Sequence, residues 1–313
     1  MSGPPAAGLQ PVGPQPAAQA QPAAAQPAGP QPAAARPAAT LVLIRPRATG
    51  GPGLEVLMLE RSQRADFAPG LFVFPGGGVD AEDASPAAAQ AAAGLSPEAA
   101  GRALHGAQSP PNGAQSPPNG AESPLHALAH YVTAVRETFE EAGVLLARTA
   151  SGAAAHLPEP KLAEGRRACA QGGAGFLDWM AREGLRAAAE DLIYFAHWIT
   201  PKAAPKRFDT RFFLAEAPAG ARVHTDQTEI VAYRWATPDE ALAAHAAGRM
   251  PMIEPTLHNI QALQGFASPA QVRAALAGQP VRTVRPQLAT LPDGRRKVVL
   301  PWDPAYLPDP EPT

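Results

Sequence analysis

Arg136-Glu137-Thr138-Phe139-Glu140-Glu141-Ala142-Gly143-Val144 is the stretch on which the reading of this chain turns. On a helix, Glu137, Glu140 and Glu141 fall at i, i+3 and i+4, so three carboxylates share one face. Like charges at that spacing repel and weaken the helix unless a cation sits among them. A hard divalent ion with oxygen ligands answers that need, and Mg²⁺ fits the set, with Mn²⁺ as the alternative. Arg136 supplies a fixed positive partner that orients one carboxylate. A solvated acidic face is the competing reading of these nine residues alone, and their surroundings decide between the two.

Upstream stands Phe74-Pro75-Gly76-Gly77-Gly78-Val79-Asp80-Ala81-Glu82-Asp83. A glycine cluster lets backbone approach a ligand or a neighbouring helix closely. Residues Leu125 to Leu146 carry apolar side chains at helical spacing, which predicts a helix closing near Gly143. Ala39–Ile44 and Leu54–Leu59 read as strands joined by a Gly/Pro turn, and Phe72–Phe74 as a short strand ended by a Gly76–Gly78 loop. Tyr194–Ile199, Phe208–Ala215 and Val231–Trp235 read as further strands, and Pro238–Ala247 as a short helix. Asp293-Gly294 between two β-prone runs predicts a hairpin.

Composition bounds the rest. The 313 residues include 38 Pro and 28 Gly, yet 45% are hydrophobic, so a sizeable core is available. A net charge of −2 argues against a broad electrostatic nucleic-acid binder. The single cysteine, Cys169, excludes an intramolecular disulfide and a cysteine zinc cage, and it reads as inert. No apolar run has the length of a membrane span, and cytoplasm is the expected compartment. Residues 1–38 are rich in Pro, Ala and Gln and contain no aromatic residue, which predicts a disordered tail. Residues 84–124 are Ala-rich and then repetitive: Gly106-Ala-Gln-Ser-Pro-Pro-Asn112 recurs as Gly113-Ala-Gln-Ser-Pro-Pro-Asn119. They read as a low-complexity surface insertion, tolerated because loop closure depends weakly on length. One domain over 39–313 remains, with this insertion and a C-terminal extension from about residue 250.

Taken together, the glycine run and the acidic helix resemble the Nudix box, G-x5-E-x7-R-E-U-x-E-E-x-G-U. Gly77 stands at its first Gly and Asp83 at its first Glu, while Arg136, Glu137, Glu140, Glu141, Gly143 and Val144 match its second half. Thr138 replaces the usual large aliphatic, and residues 84–135 stand where the pattern has only seven. Such an interrupted box is similar to that of the Nudix coenzyme A diphosphatases. Arg61-Ser62, Gly70 and Phe74-Pro75-Gly76-Gly77 look like the coenzyme A motif at its proper spacing, although Leu59 stands at its Thr and Asp66 at its second Arg. Trp198-Ile-Thr-Pro201 and Arg207-Phe-Asp-Thr-Arg-Phe-Phe213 also look like this subgroup.

The resemblance implies an α+β fold, a Nudix-type α/β/α sandwich around a mixed β-sheet. It implies Mg²⁺-dependent hydrolysis of a nucleoside diphosphate linked to another group, with coenzyme A or acyl-coenzyme A as the leading small-molecule substrate. Glu137, Glu140 and Glu141 are then the metal ligands, Arg136 is the clamp on Glu137, and Glu229 is the candidate general base. Arg61, Arg207 and Arg211 are candidate phosphate contacts, and Gly76, Gly77 and Gly78 place backbone beside the same site. ADP-ribose, reduced dinucleotides and other nucleotide diphosphates are rival substrates. A non-catalytic Nudix-fold binding module is the rival class, disfavoured because all three helix carboxylates are retained.

Overall fold

A computed structural model describes residues 33–105, 123–290 and 295–307. In chain order the elements are β1 (Arg36–Pro46), β2 (Leu54–Arg61), β3 (Phe72–Val73), β4 (Gly76–Gly78), α1 (Pro86–Ala91), α2 (Pro97–His105), α3 (Pro124–Ala142) and β5 (Ala147–Thr149). They continue with α4 (Glu159–Cys169), α5 (Gly172–Arg182), β6 (Leu185–Ala187), β7 (Ile193–Ile199), β8 (Phe208–Glu216) and β9 (Ile230–Ala236). The C-terminal part holds α6 (Pro238–Ala246), α7 (Glu254–Gln261), α8 (Pro269–Leu276), β10 (Thr283–Val284), β11 (Gln287–Thr290) and β12 (Arg296–Val299).

The main sheet runs β10-β7-β8-β1-β2-β3, with β4 also paired to β1 and β9 to β2. It is mixed: β1 is parallel to β8 and antiparallel to β2 and β4. Side chains alternate across β1, so Leu41 and Leu43 join the core that includes Val132, Val135 and Phe139 of α3. Val42 and Ile44 join a second core with Ala241, Ile260 and Val272 of α6, α7 and α8. A strand covered on both faces reads as an unbroken apolar run, which is how Leu41-Val-Leu-Ile44 appears. The expected α/β/α sandwich with a mixed sheet is therefore the fold observed.

Three boundaries differ from expectation. First, β1 begins at Arg36, which pairs with Phe208, so residues 36–38 belong to the sheet rather than to the tail. Residues 1–32 lie outside the described residues, as do 106–122 with both heptapeptide copies. Second, Gly76–Gly78 is a strand paired with Ala38, Ala39 and Thr40, not a loop. Glycine is a poor strand former, but a Cβ on Gly76 would lie 2.5 Å from the Ala39 carbonyl oxygen, so only glycine lets the two backbones come this close. Third, the opening of the expected insertion is core. Ala88 of α1 and Ala100 and Leu104 of α2 are fully buried in the cluster that contains α3. Alanine-rich sequence reads as low complexity, yet small side chains are what let short helices sit close against a neighbour.

Near the C-terminus β11 and β12 pair antiparallel as expected, while the Asp293-Gly294 turn lies outside the described residues. Among the described residues no helix is long and apolar enough to cross a membrane.

Candidate active site

The carboxylate face is held by a helix with strong ends. The Ser123 side chain accepts from the amide of His126, Pro124 occupies the first turn, and Gly143 closes α3 at φ 69° while donating to the Phe139 carbonyl. Phe139 stacks on Trp179 of α5 at 5.3 Å between ring centroids, which fixes the rotation of α3 about its axis. That rotation turns Glu137 and Glu141 onto β4. The Gly76 amide donates to Glu141 Oε2 at 2.9 Å. The Glu137 carboxyl occupies the place where a Gly77 side chain would be, 2.5 Å from an ideal Cβ.

Arg136 is buried at the centre of this arrangement. Its Nη1 donates to Glu137 Oε1 at 2.8 Å and lies 3.7 Å from Glu140 Oε2. Its Nη2 donates to Asp83 Oδ2 at 2.8 Å and to the Gly78 carbonyl at 3.1 Å. Asp83 is buried as well and accepts further bonds from the Thr133 hydroxyl at 2.8 Å and the Asp80 amide at 3.1 Å. The two ends of the interrupted box thus close on each other through Asp83, in the position where the pattern has Glu.

A second guanidinium lies across the carboxylates. Arg61 Nη1 is 3.7 Å from Glu141 Oε1, Nη2 is paired with Glu229, and Nε donates to the Phe67 carbonyl at 2.9 Å. Glu229 is placed by Asp226, whose carboxylate accepts from the amides of Thr228, Glu229 and Ile230. This turn follows the local pattern in which Asp binds backbone two to four residues on.

Burial pushes the Glu137 carboxyl up to about 7, with Arg136 opposing and Glu140 adding to the rise. Burial, followed by repulsion from Glu137, raises Glu141 well above the ordinary carboxylate range, and burial also raises Glu140. Among the described residues, Arg136 and Arg61 are the cations paired with the three carboxylates, which leaves negative charge uncompensated. All the donors are hard oxygens, so this set fits a Mg²⁺ or Mn²⁺ ion. Among the described residues no three acidic, His or Cys side chains converge as a preformed cage. Glu137 and Glu141 instead direct one oxygen each to Arg136 and Gly76, as unneutralised buried carboxylates must.

Beside the carboxylates, across Gly76 and Gly77, opens a cavity of about 650 Å³. One end presents Arg61, Glu229 and the Gly76–Gly78 strand. The other end, toward β7 and β10, presents Trp198, Phe212, Pro286 and Val298. Strand pairing explains the layout: Gly78 sits opposite Ala38, Ala38 opposite Thr210, and Thr210 opposite Trp198. Ala38, Thr210 and Trp198 all line the cavity, so its floor is this cross-sheet row. Three strand spacings separate Gly78 from Trp198, roughly 14 Å.

Of the expected phosphate contacts, only Arg61 lines the cavity. Arg207 donates to the backbone carbonyls of Thr200 at 3.2 Å and Ala33 at 2.5 Å. Arg211 is buried against Asp209 and His197, on the face of β8 opposite Phe212, because neighbouring strand residues alternate faces. His224 adjoins the end of α3, its amide bonded to the Ala142 carbonyl and its ring 3.5 Å from Glu159. Cys169 is buried, and burial raises its thiol pKa, consistent with an inert residue. Sequence reading did not single out Asp80, Thr133 and Asp226 as supports of the site. Thr133 stands one turn before Arg136, and Asp226-x-Thr228-Glu229 carries an Asx-turn pattern, so both left a local signal.

The NUDT19 Nudix domain family matches residues 34–263. The chain is 30% identical over 278 residues to the acyl-coenzyme A diphosphatase NUDT19 of Homo sapiens, covering 82% of this chain and 73% of the human protein. It is 31% identical over 294 residues to the NUDT19 of Gallus gallus, covering 85% and 76%. Among solved structures, a NUDIX hydrolase from Alicyclobacillus acidocaldarius superposes with a TM-score of 0.57 at 29% identity, over 79% of this chain and 99% of the other. With the carboxylate helix, the glycine strand and the Arg136 clamp assembled as described, the chain belongs to the NUDT19 Nudix family and is a Nudix hydrolase.

Proposed function

We propose that the chain hydrolyses the diphosphate of coenzyme A or of acyl-coenzyme A in a Mg²⁺-dependent reaction, releasing 3′,5′-ADP and the phosphopantetheine portion. The observation that carries this reading is the junction of the carboxylate face with a cavity polar at one end and apolar at the other. The relatives named as acyl-coenzyme A diphosphatases support the choice of substrate.

Glu140 and Glu141 would hold the ion, with Glu137 as a third ligand oriented by Arg136. When bound, Mg²⁺ screens the phosphate charge and makes phosphorus more open to attack. The protein's own residues do the rest. Arg61, anchored on the Phe67 carbonyl, faces the diphosphate as a planar donor fork. Gly76 and Gly77 keep the backbone low enough for the phosphates to reach the carboxylate face. Glu229 stands at the cavity beside Arg61 and accepts the proton of the attacking water.

Turnover of coenzyme A, ADP-ribose, NADH and dinucleoside polyphosphates with Mg²⁺ tests the reading. Coenzyme A is expected to exceed ADP-ribose in kcat/KM by about tenfold or more. The reverse order leaves the hydrolase assignment standing and removes coenzyme A as the substrate. Glu140→Gln and Glu141→Gln should each lower kcat by about 10²–10³-fold, and near-full Mg²⁺-dependent activity in both would remove the metal site.

A further inference from the structure

We infer that Pro286, which follows β10, and Val298 of β12 form the acyl-selecting wall of the cavity. The inference rests on the coenzyme A reading and adds to it which residues choose among acyl thioesters.

The geometry begins with the cross-sheet floor. The reacting diphosphate belongs at the Gly76–Gly78 end, where Arg61 and the carboxylates lie. An extended arm with two amide bonds, such as the pantetheine portion, spans roughly the 14 Å to Trp198. Whatever is attached to its thiol therefore emerges at the far end. Among the described residues that end holds no charged lining side chain except Glu254 and is walled by Trp198, Phe212, Pro286 and Val298. A free thiol gains little from such a wall, whereas an aliphatic acyl group gains affinity with every methylene it buries there.

Pro286 and Val298 lie beyond residue 263, where the family match ends. They are fixed to the sheet by specific contacts. Val284 of β10 pairs with Trp198, extending the floor by one strand. The Thr283 hydroxyl bonds His197 Nδ1 at 2.8 Å, tying the segment to the opposite face of β7. Trp302 meets both Trp198 and His258 edge-on, at 6.4 Å and 5.3 Å between ring centroids, and Leu300 is buried in the second core. The wall is thus a built part of the cavity, supplied by this chain's C-terminal extension.

The test uses the full chain and reads the ratio of kcat/KM for octanoyl-coenzyme A to that for free coenzyme A. In the unaltered protein the ratio should exceed one. Val298→Trp, which fills the far end, should lower it by about tenfold or more, and Val298→Ala should move the preference toward longer chains. Circular dichroism checks that each variant is folded. A ratio within about twofold of the unaltered protein's in the folded variants overturns the inference; if Val298→Trp does not fold, Val298→Ala decides alone. Coenzyme A cleaved with no dependence on acyl length also overturns it while leaving the function reading intact. Failure to cleave any of these thioesters or the free thiol overturns both.

Discussion

Arg136 and Asp83, 53 residues apart in the chain, meet as a buried ion pair with Nη2 2.8 Å from Oδ2. The same guanidinium holds Glu137, so one side chain both closes the interrupted box and aims a carboxylate. Structure and chemistry are coupled at this residue, and the coupling makes the first expectation specific.

Asp83→Asn keeps the size of the side chain and removes its charge. Arg136 then stays buried with Glu137 as its main partner. Breaking a buried pair typically costs about 3–5 kcal/mol, and the remaining partner places this case near the lower end. Urea unfolding of the metal-free protein measures it, and a loss under ~1 kcal/mol would show that the pair is not structural.

Gly76→Ala and Gly77→Ala should separate stability from catalysis. The Gly76 methyl meets backbone, the Ala39 carbonyl at 2.5 Å, so β4 must move and about 1–3 kcal/mol of stability should go with it. The Gly77 methyl meets the Glu137 carboxyl, the movable end of a side chain. Gly77→Ala should therefore melt close to the unaltered protein while losing at least about tenfold in Mg²⁺-dependent kcat. Equal melting temperatures for the two variants would contradict this division.

Burial, aided by Arg211, holds His197 near 4, although its contact with Asp209 acts in the opposite direction. The folded chain thus binds fewer protons than the unfolded chain between the ordinary value of 6.5 and about 4. Stability should fall as pH drops through that window, by up to about 3 kcal/mol. Asp209, lowered to about 2, extends the loss on further acidification. His197→Gln does not titrate, and its denaturation midpoint should fall less between pH 6.5 and 4 than that of the unaltered protein. Parallel curves for the two proteins would rule out His197 as the source.

Leu104→Ala should cost about 2–5 kcal/mol, because the side chain is fully buried against the core of α3. Deleting Gly106–Asn119, a few residues on, should change the melting temperature and turnover little, since a shorter connection has a slightly lower entropic cost of closure. A deletion that folds yet loses most turnover would make the repeats a functional lid.

The strands and helices with a clear period were legible from sequence because burial on a helix or a two-sided strand leaves a pattern. The carboxylate helix was legible because its charges repeat at the helical spacing. Gly76–Gly78 was not legible as a strand, since its pairing depends on close approach to Ala38–Thr40, a tertiary fact that overrides glycine's local preference. Residues 86–105 were misread for a related reason: alanine carries little hydrophobic signal on its own, and its burial follows from the neighbour it fits. Arg211 illustrates a third limit. Its charge suggested phosphate, but strand alternation sends it to the face away from the cavity, and only the register with Ala39 reveals which face that is.

Because Asp83 and Arg136 join the halves of the site by contact, peptide continuity between them is not what keeps the chemistry intact. The segment 106–122 can gain or lose units at a cost that grows only with the logarithm of its length, about 0.6 kcal/mol per doubling. Copy number of the Gly-Ala-Gln-Ser-Pro-Pro-Asn unit is then a nearly neutral variable for the stability of the site. The two identical adjacent copies, Gly106–Asn112 and Gly113–Asn119, are the mark a duplication leaves in the sequence.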